Sequence, residues 1–185
     1  MRVQRSLTTT LISIICLFYI WAQFDHTLVD HLALFYGGVY SNGVFPGVST
    51  GQWYRLLTVA LTHANLLHLG SNMLALFTFG NLVERIFGRN KYLAIFLGSL
   101  LVASLASVYL GPHNIFKVGA SGAIFGLLGA LLAAGGRSGV NSQAVVSNVV
   151  LNVVITFSIP GIDWRAHVGG FVGGFAIAYL VKPRR

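Results

Sequence analysis

Four residues of this chain have types that can do chemistry together: Ser121, His167, His68 and Asn72. A serine hydroxyl becomes a nucleophile when an imidazole takes its proton. The tetrahedral intermediate that follows needs N–H donors aimed at its oxyanion. Ser121 stands in Val118-Gly119-Ala120-Ser121-Gly122-Ala123, where the flanking glycines leave room for a substrate backbone. A helix beginning here leaves the N–H groups of Ser121 and Gly122 without intrahelical acceptors, and its dipole favours negative charge. A serine between glycines is, taken alone, more often a helix cap or a small packing residue. A lone histidine at a helix end, like His167, is more often interfacial. Two matched stripes of small residues change that balance. Ala166, Gly170, Gly174 and Ala178 recur at four-residue spacing, and so do Gly122, Gly126, Ala130 and Ala134. Such stripes let two helix backbones approach closely, which brings His167 toward Ser121. His68 and Asn72, four apart, share one helix face. Their N–H groups fit either an oxyanion hole or ordinary interhelical hydrogen bonds.

The remaining polar residues are read as support. His63, His68 and His167 have no carboxylate or cysteine at ligand spacing, so neither a metal nor another cofactor is expected. Glu84, followed by Arg85, reads as an ion pair or a helix-end anchor. Asp163 precedes His167 by four residues and can orient it as the third member of a triad. A surface position is expected for it, which leaves a Ser–His dyad. Cys16 is the one cysteine, and it excludes a disulfide within the chain.

The elements that must carry these residues are apolar. The chain is 55% hydrophobic and 9% charged, with a mean hydropathy of +0.75. Soluble domains carry about 25% charged residues, so a water-soluble globule is excluded. The net charge of +8 is scattered singly or in short groups between apolar runs, which argues against nucleic acid as a partner. A membrane-crossing helix needs about 20 mostly apolar residues. Six runs qualify, at residues 7–24, 66–87, 92–110, 118–136, 144–159 and 166–181, the last two slightly short. They are too long for barrel strands and lack period-two alternation. The expected fold is an all-α membrane protein: one domain over residues 1–185, a six-transmembrane-helix bundle with a long first external loop at 25–52. Residues 53–61 are read as interfacial or re-entrant, from Trp53 and Tyr54. The basic start at Arg2 and Arg5 is read as flanking a retained helix rather than a cleaved signal.

Charge sets the expected orientation. With six spans, one side holds Arg2, Arg5, Arg85, Arg89, Lys91, Arg137, Lys182, Arg184 and Arg185, and the other only Arg55, Lys117 and Arg165. The positive-inside rule then makes both termini cytoplasmic, in a cell inner (plasma) membrane. The second, fourth and sixth spans start on the outer side. At 1.5 Å rise per residue, His68, Asn72, Ser121 and His167 fall within about 10 Å of one membrane level. Polar groups converging inside a bilayer mark a functional site.

These residues together resemble the rhomboid intramembrane serine proteases. The resemblance rests on Trp53-Tyr54-Arg55, His63, His68-x-x-x-Asn72, Gly80-x-x-x-Glu84-Arg85, Gly119-Ala120-Ser121-Gly122 and Ala166-His167-x-x-Gly170-x-x-x-Gly174. It implies a Ser121/His167 dyad, with His68, Asn72 and the Ser121 N–H binding the oxyanion. It also implies structural roles for Arg55 and Glu84. Gly119, Phe125, Gly170 and Gly174 support the site. Further implications are an outward-opening cavity gated by the fifth span, and single-span membrane proteins as substrates. Phe125 stands where the family often has tyrosine; its ring can still pack on His167. Two other readings are a non-catalytic relative that binds membrane proteins, and a channel or transporter using the His–Asn–Ser cluster as a polar path.

Overall fold

Helices form wherever the apolar runs lie, and their ends are set by particular residues. The computed structural model describes residues 6–40, 43–135, 142–158 and 161–184. Its helices are α1 (Leu7–Ala22), α2 (Thr27–Leu32), α3 (Arg55–Thr58), α4 (Leu66–Ala75), α5 (Asn81–Phe87), α6 (Arg89–Leu110), α7 (Ser121–Ala134), α8 (Ser142–Ser158) and α9 (Trp164–Val181). A π turn, Leu76–Gly80, joins α4 to α5, so residues 66–87 run as one helix with one wide turn. Several starts differ from expectation for local reasons. Gly88, at φ +80, breaks the chain before Arg89, so α6 begins three residues early. Gly119, at φ +116, holds α7 back to Ser121. Asp163 accepts from the Arg165 and Ala166 N–H groups and starts α9 at Trp164. The expected span ends at Gly136 and Ile159 lie outside the described residues, as do the cations Arg2, Arg5, Arg137 and Arg185.

By length and composition, residues 66–87 and α6 are long and apolar enough to cross a membrane. The apolar helices α1, α7 and α8 are shorter. The 25–52 connection is not featureless. It carries α2 and a small antiparallel hairpin, β1 (Gly38–Tyr40) on β2 (Gly43–Phe45), with Val39 opposite Val44. Arg55, counted among the outer-side cations and given a structural role by the family resemblance, is 3% exposed. Its Nε donates to Gln52 Oε1 at 2.6 Å and its Nη1 to the Ala33 carbonyl at 2.6 Å. A buried cation is costly unless hydrogen-bonded, and here the guanidinium ties the long connection to α3.

The core centres on α7, whose residues from Gly122 to Leu131 are all buried. α7 packs on α9 and α6, and α9 packs on α6 as well. The outer faces are apolar instead: Leu17 and Trp21 on α1, Leu67 and Leu74 on α4, Val150 and Val154 on α8, and Val172 and Leu180 on α9 are exposed. A helix apolar on all sides belongs in a protein interior or a membrane. Glu84 anchors the start of α1 rather than pairing with Arg85. It accepts from Ser6 Oγ (2.6 Å), Leu7 N (2.9 Å), Thr8 N (3.0 Å) and Thr8 Oγ1 (3.0 Å). The same end of the bundle gathers basic residues, because Arg184 N donates to Ile86 O and Lys91 Nζ to Lys182 O, each at 3.0 Å.

Arg55→Met keeps the aliphatic stem and strands the Ala33 carbonyl. It is expected to lower stability by about 1–3 kcal/mol, read as the thermal unfolding midpoint in detergent micelles. An unchanged midpoint would show that the guanidinium contributes nothing net.

Candidate active site

Ser121 is the first residue of α7, and the chain leading to it is tied down on several sides. Lys117 and Leu34 exchange backbone hydrogen bonds at 2.8 and 2.9 Å, and Gly119 N donates to Val59 O at 3.1 Å. Lys117 Nζ donates to the Ser107 carbonyl at the end of α6, at 2.6 Å. Burial holds the Lys117 ammonium below its ordinary range, with nearby Asp163 opposing that shift. Ser107 also donates its hydroxyl to Asp163. The starts of α7 and α9 are therefore both fastened to the end of α6. Asp163 is half-buried and committed to this capping, which corrects the surface position expected for it.

The α7–α9 contact is made of backbone. A Cβ on Gly170 would lie 2.0 Å from Gly122 O, and one on Gly174 would lie 2.0 Å from Gly126 O. On the third side of α7, a Cβ on Gly122 would meet Ala103 Cβ at 2.6 Å, and one on Gly126 would meet Ser99 Cβ at 2.1 Å. The two small-residue stripes thus face each other, and α6 closes on the same glycines. This approach brings His167 Nε2 to 2.9 Å from Ser121 Oγ. His167 is 7% exposed. Phe125, one turn into α7, stacks on its ring with centroids 4.0 Å apart and planes 14° apart. Its other nitrogen, Nδ1, is 2.8 Å from Thr156 Oγ1 on α8.

His68 comes to the same turn from α4. A Cβ on Gly119 would lie 2.8 Å from His68 Cε1 and 2.9 Å from Nε2, so the imidazole covers the backbone just before Ser121. Asn72, one turn further along α4, is buried. Its Nδ2 donates to the His68 carbonyl at 2.9 Å, while its Oδ1 has no partner among the described residues. No hydrogen bond joins either side chain to Ser121 among the described residues. The Ser121 and Gly122 N–H groups likewise have no acceptor there. His63 sits beside this group, its ring 5.1 Å from that of His68. Burial, then neighbouring His68, pushes its pKa down to about 4, with Asn72 acting weakly the other way. His63 is therefore neutral at pH 7, with neither ring nitrogen partnered among the described residues. Thr156 and Ser107 were not anticipated. Thr156 had a signal: Asn148, Asn152 and Thr156 stand four apart in an otherwise apolar run. Ser107 had none, since its role depends on where Lys117 and Asp163 end up.

A hydroxyl, an imidazole and unsatisfied N–H donors meeting at one helix start are equipped for acyl transfer. Comparison with known proteins bears on whose site this is. A family model for the rhomboid domain matches residues 50–184. The chain belongs to the rhomboid family. As a rhomboid it is an all-α membrane protein, and the β hairpin is a minor departure within that class. It is 38% identical over 143 residues to "Rhomboid protease GluP" of Bacillus subtilis (strain 168), a match covering 74% of this chain and 28% of that one. It is 33% identical over 144 residues to "RHOMBOID-like protein 5" of Arabidopsis thaliana, covering 74% and 47%. It is 29% identical over 212 residues to "Rhomboid protease AarA" of Providencia stuartii, covering 97% and 74%. The chain thus spans less than half the length of two of these relatives.

In this rhomboid, Gly170→Ala is expected to force α7 and α9 apart and cost about 1–3 kcal/mol. Gly70→Ala on α4, where a Cβ would meet nothing within 4 Å, is expected to be neutral or to stabilise by up to about 1 kcal/mol. Unfolding midpoints of the two variants check this. Equal midpoints would show that the helices yield freely at Gly170.

Proposed function

We propose that this rhomboid is an intramembrane serine endopeptidase in which Ser121 is the nucleophile and His167 the general base. The 2.9 Å approach of His167 Nε2 to Ser121 Oγ is the observation that carries the reading. In the proposed reaction His167 takes the hydroxyl proton as Oγ attacks a scissile carbonyl. The Oγ–carbon bond forms, and the carbonyl electrons move onto oxygen. The N–H groups of Ser121 and Gly122, with those of His68 and Asn72, stabilise that oxyanion. His167 then returns the proton to the leaving amine as the C–N bond breaks. Water, activated by the same imidazole, releases the acyl-enzyme. Asp163 takes no direct part, because its carboxylate is engaged by the start of α9 and by Ser107. Phe125 holds the ring plane by stacking.

The proposed setting is a single six-span domain over residues 1–185, with both termini cytoplasmic in a plasma membrane. The 22 residues of α6 support it: they span about 33 Å, close to the ~30 Å hydrocarbon thickness. The basic cluster of Arg85, Arg89, Lys91, Lys182 and Arg184 lies at one end of that length. The Ser107–Lys117–Asp163 group and the site lie at the other. The substrates proposed are transmembrane proteins that present an unwound segment to the outer end. α7 is shorter than a lipid-crossing helix, but it is surrounded by protein rather than lipid and needs no such length.

Purified protein is expected to react with a fluorophosphonate probe and to cleave a model single-span substrate, and Ser121→Ala to abolish both. Labelling that survives Ser121→Ala would remove this serine from the mechanism. Cleavage lost with no labelling in the parent protein would favour a non-catalytic binder. Loss of an oxyanion donor, as in His68→Ala, is expected to lower kcat about 10²–10³-fold. A wild-type kcat would take His68 out of the oxyanion hole.

A further inference from the structure

We infer that Thr156 on α8 is a positioning residue that selects the base-competent tautomer of His167, coupling the seating of α8 to the readiness of the site. The inference rests on the proposed roles of Ser121 and His167. Thr156 is buried, and its Oγ1 lies between two groups: Asn152 O at 2.7 Å and His167 Nδ1 at 2.8 Å. A threonine hydroxyl has one proton to give. Donated to Asn152 O, one turn back along α8, that proton leaves Oγ1 facing Nδ1 as an acceptor only. Nδ1 must then carry the ring proton. Nε2 keeps its lone pair, 2.9 Å from Ser121 Oγ, and can accept the hydroxyl proton. Turned the other way, the hydroxyl donates to Nδ1, the ring proton moves to Nε2, and the imidazole cannot act as base.

The back-bond that decides between these states continues along α8. Asn152 Nδ2 donates to Asn148 O at 2.8 Å, and Asn148 Nδ2 to Ala144 O at 2.9 Å. The polar side chains on this face thus all give a proton to the carbonyl four residues earlier. No carboxylate competes for the role of orienter, since the Asp163 oxygens serve the Arg165 and Ala166 N–H groups and Ser107. Once His167 accepts a proton, the Nδ1–H···Oγ1 bond becomes charge-assisted and stabilises the imidazolium.

The second consequence concerns α8 as a whole. Among its described side chains only Val145 and Thr156 are buried. A cavity of about 110 Å³, lined by Phe125, Val153, Thr156, His167 and Phe171, lies where α8 meets α7 and α9. Thr156 is therefore one of two buried side chains that seat α8, and the one that reaches His167, while Val145 packs into the core. An outward shift of about 1 Å takes the Thr156–His167 distance beyond hydrogen-bond range. The imidazole then loses its tautomer preference while its stacking on Phe125 persists.

The test compares Thr156→Val, which keeps the shape and removes the oxygen, with Thr156→Ser, which keeps the hydroxyl. Both are made in the full chain. Fluorophosphonate labelling rates and the kcat and KM for a model transmembrane substrate are measured, with His167→Ala alongside. Thr156→Val is expected to lower the labelling rate and kcat about 10- to 100-fold with KM near wild type, and Thr156→Ser to restore them. Nitrogen-15 NMR of histidine-labelled wild-type protein is expected to find the His167 proton on Nδ1, a reading that needs no variant to fold. Wild-type kcat in Thr156→Val, failure of Thr156→Ser to rescue, or an Nε2-protonated ring in the wild type would each overturn the inference. Activity that persists in His167→Ala would overturn the proposed base and this inference with it. A dead His167→Ala beside a fully active Thr156→Val would overturn this inference alone.

Discussion

Two helix backbones touch in this protein where any side chain larger than hydrogen would hold them apart. Gly170 and Gly174 lie against the carbonyls of Gly122 and Gly126, and nothing but backbone separates α7 from α9 there. Inside a membrane such contacts cannot be driven by the hydrophobic effect, since lipid is as apolar as leucine; close packing has to supply the attraction. The same approach sets the reach between the helix starts. A serine side chain is short, so an imidazole on a neighbouring helix meets it only if the two axes nearly touch. The 2.9 Å contact between Ser121 and His167 is thus a consequence of glycine placement one to seven residues away.

Close helices still need a fixed rotation and register, and these come from the polar groups around the helix starts. Ser107 joins the Lys117 ammonium to the Asp163 cap. Leu34 pairs with Lys117, and Gly119 reaches Val59. The buried Arg55 holds Ala33, immediately before Leu34, onto α3. Each of these groups would be costly if buried alone, and each finds its partner on a different segment. The cluster therefore acts as a joint: loosening one member strands the next. That explains why a chain with so few charged residues concentrates several of them just outside the site.

The sequence showed the parts whose physics is local or periodic. Helix existence followed from apolar run length, and the facing of α7 and α9 from small residues at four-residue spacing. The stacking of Phe125 on His167 was anticipated through the family resemblance, which puts an aromatic residue four after the serine. What escaped was whatever depends on a partner distant in sequence. The structural role of Arg55 came from the resemblance, but its partners escaped because Gln52 and Ala33 offer a side-chain amide and a carbonyl with no charge to signal a pair. Asp163 looked superficial because its partner, Ser107, is an unremarked residue near the end of another helix. The delayed start of α7 was hidden because a glycine at φ +116 reads, in sequence, like any other glycine. Thr156 was visible as one of three spaced polar residues on α8, yet only the fold brings that face to His167.

The site is consequently held unequally on its two sides. Ser121 begins a helix buried on every face, and its approach is pinned by Lys117 and Gly119. Its position depends on the packing of α7 against α6 and α9. His167 shares that packing through Phe125 and the glycine stripe, but its second nitrogen faces α8, which is mostly exposed. Ser121 is thus held by elements other than α8, whereas the His167 imidazole also contacts α8 through Thr156. A peripheral helix can move to admit a bulky chain only if it carries few buried contacts. Any such helix that also touches a proton acceptor will convert its displacement into chemistry at the acceptor. That coupling requires no long relay through the core, because a single hydroxyl joins α8 to the imidazole.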